Sequence, residues 1–424
     1  MSQHLVAVAE TTKLARLLGL TDPTELDFLI DLPPEAIRQY RERVTDRLYD
    51  RDAKRLKGVA AAVKLVPTAI SAKVAERAFG PVLCAAVAST VDANRAIDIA
   101  KALPAEFLAA CAVQLDPRRT AAIIAAVPPK MVTDVARELL SQRDHITMGR
   151  FVHVVPEPSL RAAAPVMSDS DLLRIAFLLE DKTAIDNVLH IVADRVPGVI
   201  RAAAAQDMWA EGIDLLDSIA PHNRAWIGDT TAGLGDDTLD ALITAVARLD
   251  AWATLLPITS AMSNDSLTTF AQRPAVHDET VLAAIMDTAL DHGHWTNLLP
   301  LAAHLPEPQL AFIAARVGDQ TDDRLAELIR EADTAGLWEA LIPLALAMTG
   351  DNRRRALDII DAMDDAENFL AALTDDTSDD IWKLLREVRT EIPTRLLTLL
   401  AGRARELGRD DDAGELQPVG ATAE

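Results

Sequence analysis

Five of the six tryptophans in this 424-residue chain recur at a nearly fixed distance: Trp209, Trp252, Trp295, Trp338 and Trp382 lie 43, 43, 43 and 44 residues apart. The words around them agree. Trp252-Ala-Thr-Leu-Leu-Pro257, Trp295-Thr-Asn-Leu-Leu-Pro300 and Trp338-Glu-Ala-Leu-Ile-Pro343 share one pattern, and Met262, Leu305 and Met348 each follow five positions after the proline. The copy at Trp382 keeps Leu385 and lacks the proline, as a diverged terminal unit would. A period of this length is the mark of a repeat architecture, in which each unit buries its apolar face only against its neighbours.

The word recurs upstream with the aromatic relaxed. Phe151-Val-His-Val-Val-Pro156 fits it, Ala62-Val-Lys-Leu-Val-Pro67 carries alanine in the aromatic slot, and Phe107 lies 44 residues before Phe151. Phe151 and Trp209 are 58 residues apart, which implies an insertion of about 15 residues. The expected markers are therefore Phe107, Phe151, Trp209, Trp252, Pro257, Trp295, Pro300, Trp338, Pro343 and Trp382, in about eight units.

Each unit reads as three helices. In the 295–337 copy a short helix starts at Trp295, and Pro306-Glu-Pro308 opens a second with Leu310, Ile313, Ala314 and Val317. Thr321 caps a third, whose stripe is Leu325, Leu328, Ile329 and Ala332. The 252–294 copy repeats this, with Asp278 ahead of Leu282, Ile285 and Ala289. The chain is half hydrophobic and only 4% aromatic, and no strand-like alternating run occurs. The fold class is all-α, an α-solenoid of three-helix repeats of 43–45 residues. The tryptophans are expected in the seams between units rather than as an exposed ladder.

Four regions follow. Residues 1–58 form a helical cap with a basic helix, 59–208 the N-terminal repeats with the insertion, 209–405 the Trp-marked repeats, and 406–424 an acidic, disordered tail.

The words Leu103-Pro104-Ala-Glu106, Leu115-Asp116-Pro117-Arg118, Ala121-Ala-Ile-Ile124, Val127-Pro128 and Leu139-Leu140 resemble the intracellular N-terminal domain of MgtE-type magnesium transporters. The resemblance covers about a tenth of the chain. It implies a right-handed superhelix of short helices, and it admits magnesium sensing as an alternative function. Nothing here resembles the transporters' nucleotide-binding-type domain or pore. The three-helix unit is also similar to armadillo and HEAT repeats.

The charge is −23 overall but uneven. Residues 36–80 carry 11 Lys and Arg against 5 Asp and Glu, while 251–424 carry 14 against 31. So acidic a body repels phosphates, which argues against general nucleic-acid binding. Arg38, Arg41, Arg47, Arg51, Lys54 and Arg55 follow the helix start at Asp31-Leu-Pro-Pro34 and are the best candidates for a partner, whether an acidic protein or an anionic membrane surface.

Cys84 and Cys111 are the only cysteines, too few for a disulfide framework. No long apolar run and no leader-like N-terminus is present, so a cytoplasmic location is expected. His292, His294 and His304 with Asp291 are the densest candidate metal ligands and read as ordinary loop and surface residues. Asp364-Asp365 reads as a solvated helix start. No catalytic constellation or cofactor motif occurs. The expected function is non-enzymatic: a scaffold that binds a protein or peptide along a groove, with no cofactor.

Overall fold

The computed structural model describes residues 2–417, except residue 64. It leaves undescribed the side chains of residues 2, 3, 52–55 and 57. Every regular element among the described residues is helical. The chain divides into two compact units, Met1–Ala220 and Pro221–Glu424, so the boundary falls after the first Trp-marked helix and not before it.

In the first unit, α1 (Ser2–Leu18) and the long α2 (Pro34–Val63) precede a series of short helices: α3 (Thr68–Val74), α4 (Gly80–Ala88), α5 (Ala93–Ala100) and α6 (Ala105–Gln114). It continues with α7 (Pro117–Ala125), α8 (Pro129–Ser141), α9 (His145–Phe151), α10 (Glu157–Ala163) and α11 (Asp169–Phe177). The last three are α12 (Ile185–Ile191), α13 (Val196–Ala205) and α14 (Trp209–Leu216). The second unit begins with α15 (Pro221–Ala232), α16 (Asp236–Leu249), α17 (Trp252–Thr259), α18 (Asn264–Ala271) and α19 (Glu279–Asp291). Then come α20 (Trp295–Ala302), α21 (Glu307–Gly318), α22 (Asp322–Thr334), α23 (Trp338–Ala347) and α24 (Gly350–Asp361). The chain closes with α25 (Asp379–Glu387), α26 (Thr394–Glu406) and α27 (Asp410–Glu415).

The three-helix reading holds in the units that start at Trp252 and Trp295, while the Trp338 unit keeps two α-helices and a 3-10 turn. In α20–α22 the Thr321 hydroxyl accepts the Arg324 N–H at the start of α22, and Leu325, Leu328, Ile329 and Ala332 are all buried. Asp278 caps α19 in the same way, through Thr280 and Val281 N–H. The indoles sit inside the unit. Trp252, Trp295 and Trp382 are at most 1% exposed, and Trp295 Nε1 donates to the Leu328 carbonyl at 3.0 Å.

One local backbone device sets four of the five Trp-marked helices. The residue two before the tryptophan has positive φ (Asp207 51°, Asp250 51°, Gly293 72°, Gly336 69°). The residue between, at φ near −100° and ψ near 25°, is the N-cap. This reverses the chain from one unit's third helix into the next unit's first.

The upstream copies of the word mean something different. Pro257, Pro300 and Pro343 lie inside helices, but Pro67, Pro104, Pro128 and Pro156 are N-caps that start helices. Val155-Pro156-Glu-Pro158 therefore matches Leu305-Pro306-Glu-Pro308. The place equivalent to Trp295 belongs to His145, which follows the positive-φ Arg143. Phe151 ends α9 and Phe107 is the third residue of α6, so neither occupies the tryptophan position. Trp382 is also displaced, one turn into α25 behind the Ser378 cap, because the preceding third helix shrinks to a 3-10 turn at Ala366–Ala372.

Two further expectations are corrected. Residues 406–417 are not a disordered tail: α27 packs on α26, Leu416 is fully buried, and buried Asp412 pairs with Arg386 and Arg409. Residues 418–424 lie outside the described residues. The N-terminal segment, in turn, is more than an end cap, as its ion pairs show.

Candidate functional site

The arginines of α2 divide by face. Arg41 points inward, 7% exposed, and pairs with both Glu10 of α1 and Glu180 after α11. Arg38 bonds Glu10 at 3.2 Å and Lys13 bonds the same carboxylate at 2.8 Å, while Lys13 also reaches Glu180 at 3.3 Å. Arg16 pairs with Asp144 at 2.5 Å. Burial by itself would raise the Glu180 pKa, but Lys13 and Arg41 hold it at about 2. Glu10 follows the same logic: burial opposes its charge, and Lys13, Arg41 and Arg38 keep it below the ordinary carboxylate range. Arg38 and Arg41 are thus part of an internal clasp and are not free to meet a partner.

Below the clasp, α2 runs along the short helices in reverse chain order. Asp46 bonds Arg119 at 2.8 Å and the Arg119 guanidinium stacks on Tyr49 at 3.8 Å. Further on, Leu56 and Ala60 pack with Val87 of α4. At 30 residues α2 is about 45 Å long. It reaches from the end of α11 to α4 as a strut. Arg47 and Arg51 lie on its exposed side with Arg43 and Tyr40, without an ion pair among the described residues. The side chains of Lys54 and Arg55 lie outside the described residues.

The short helices enclose a cavity of about 280 Å³, partly open to solvent. Its walls come from residues 63–175 and carry no charged side chain. Ile97, Ile124, Val135, Met148 and Phe151 are typical; Ser71, Cys84 and Cys111 bring a hydroxyl and two thiols, and Met131, Met148 and Met167 bring thioether sulfurs. Ser71 Oγ is turned to the Val66 carbonyl at 3.4 Å. The same unit also exposes apolar side chains. Among the described residues, 11 of the 13 exposed large apolar side chains fall between Val8 and Leu83, including Leu65, Ile70, Val74 and Val82. Apolar walls with few polar groups suit an apolar occupant. The N-terminal word list could not reveal the cavity, because the same Ala, Val and Ile positions read equally well as closed core.

The histidines are not brought together as ligands. His294 Nδ1 lies 3.3 Å from Asn297 Oδ1, and His304 Nδ1 lies 2.9 Å from Thr268 Oγ1. Among the described residues no three His, Cys, Asp or Glu side chains are placed to hold a metal ion. No helix among them is long and apolar enough to cross a membrane.

Fold and site together define an all-α helical-repeat protein with an apolar cavity in its first unit. Comparison with protein-family models, characterised proteins and solved structures finds no match to this chain.

Proposed function

We propose that the chain is a non-enzymatic interaction scaffold whose first unit receives the apolar side of a partner protein segment. The observation that carries the reading is the partly open cavity walled by apolar side chains, in a unit that also exposes Leu65, Ile70 and Val82. An exposed apolar surface of this kind marks a binding face in most soluble proteins. An amphipathic helix fits such a groove through anchors three or four residues apart. The exposed Arg43, Arg47 and Arg51 favour a partner with acidic residues on its other side.

The test is selection of helical peptides against the full chain, followed by competition with an environment-sensitive apolar dye. Selected peptides should carry spaced apolar anchors and acidic residues, displace the dye, and lose binding when Val135→Glu puts a charge in the cavity wall. Enrichment of no peptide, or peptides indifferent to that substitution, defeats the reading. A second reading, contact with an anionic membrane through the same arginines and apolar side chains, predicts co-sedimentation with phosphatidylserine vesicles instead. A divalent-cation sensor has no clustered ligand set to rest on among the described residues.

A further inference from the structure

The chain has two cysteines, and the fold brings them to one place. Cys84 lies on α4 and Cys111 on α6, two helices packed directly on each other, and both thiols line the apolar cavity. Neither is in a disulfide; Cys111 is buried and Cys84 is half-buried. Each thiol shifts the other, Cys84 downward in pKa and Cys111 upward. Cys84 Sγ also lies 3.5 Å from the Ala75 carbonyl. That carbonyl belongs to the five-residue π-helical turn Ala75–Phe79, which ends at Gly80 with φ 69°. Single π turns of this kind often accompany functional sites.

We infer that Cys84 and Cys111 form a site of oxidative modification, a thiol pair that a hydroperoxide converts to an intramolecular disulfide across the cavity wall.

The chemistry balances within the named groups. The Cys84 thiolate attacks the outer oxygen of the hydroperoxide; the O–O bond breaks, its leaving oxygen departs protonated as water or an alcohol, and Cys84 becomes a sulfenic acid. The Cys111 sulfur then attacks the Cys84 sulfur, forming the S–S bond. The sulfenic hydroxyl leaves as water with the Cys111 proton. Two electrons pass from the sulfur pair to the peroxide. The division of labour follows from the surroundings. The neighbouring Cys111 thiol favours the Cys84 thiolate and lowers its pKa, whereas Cys84 and burial push Cys111 up, leaving it to resolve the sulfenic acid. Oxidant reaches Cys84 through the open side of the cavity. The bond would tie α4 to α6 and alter what the cavity admits, a consequence that rests on the binding reading above.

The experiment treats the full chain with hydrogen peroxide, alkylates what remains, and maps the peptides by mass spectrometry. The expected product is one crosslinked peptide pair holding Cys84 and Cys111 within a single chain, reversed by dithiothreitol. In C111A, dimedone should trap a sulfenic acid on Cys84; in C84A, Cys111 should stay alkylatable. Alkylation of Cys84 in reduced wild type should be about threefold to tenfold faster than in C111A, which lacks the thiol that supports the thiolate. Overoxidation of Cys84 with Cys111 still free, crosslinking between chains, or no change at all would each overturn the inference. Wild-type peptide mapping decides the matter even where a variant folds poorly. Dye uptake is read separately: a disulfide without any dye binding in either state counts against the binding reading alone.

Discussion

Arg41 and Glu180 are 139 residues apart and form one ion pair, closing α2 onto the loop after α11 within the first unit. Both partners are largely withdrawn from water, and Glu10, Lys13 and Arg38 complete the charge balance around them. Removing one partner of such a pair leaves the others buried and uncompensated. Arg41→Ala should therefore destabilise the first unit by about 3–5 kcal/mol. Arg47→Ala, on the exposed side of the same helix, should stay within about 0.5 kcal/mol. Urea unfolding of both variants checks this. Equal effects would mean that the clasp contributes nothing.

The clasp also sets an acid limit. Glu180 falls from an ordinary value of 4.5 to about 2 on folding. A depressed carboxylate stabilises the fold fully above its unfolded value, and that contribution is lost as pH falls from about 4.5 towards about 2. Amides of α1 and α2 should lose exchange protection at about pH 3 while those of α20–α22 keep theirs. Glu180→Gln should flatten the pH dependence between those values. An unchanged profile in that variant would assign the acid lability elsewhere.

Trp295 is fully buried and its indole N–H is satisfied by Leu328. Trp295→Ala should cost about 3–5 kcal/mol, the scale of a large core truncation. Loss of a binding activity with unchanged melting would restore the exposed-ladder idea.

Gly149 has a different reason to be small. A Cβ there would meet the Leu178 carbonyl oxygen at 2.6 Å, and its own carbonyl accepts the Glu180 N–H at 3.2 Å. Gly149→Ala must push α9 away from the end of α11 and should cost about 1–3 kcal/mol. Because Glu180 is tethered there, the same substitution should weaken the clasp, visible as a lower melting temperature and an earlier acid transition.

Truncation after Glu406 tests the ordered C-terminus. It removes buried Leu416 and the Asp412 carboxylate that meets Arg386 and Arg409. Loss of the Leu416 contact alone should cost about 1.5–3 kcal/mol, read by thermal melting of the shortened chain. No change would return that segment to the role of a tail.

The period of the tryptophans was enough to determine the helical repeat, its three-helix unit, the cap at Thr321 and the burial of the indoles. These depend on contacts within or between adjacent units, and such contacts repeat whenever the residues do. Other features lay beyond that reach. Val-Pro at 155–156 and Leu-Pro at 299–300 are near-identical as words, and only the backbone reveals one as a helix start and the other as a helix interior. Pairing of Arg41 with Glu180, and the placing of Cys84 and Cys111 on one cavity wall, required the tertiary structure. A basic helix and a buried strut have the same composition. What separates them is whether a distant carboxylate meets the guanidinium where water cannot compete, and chain spacing carries no record of that.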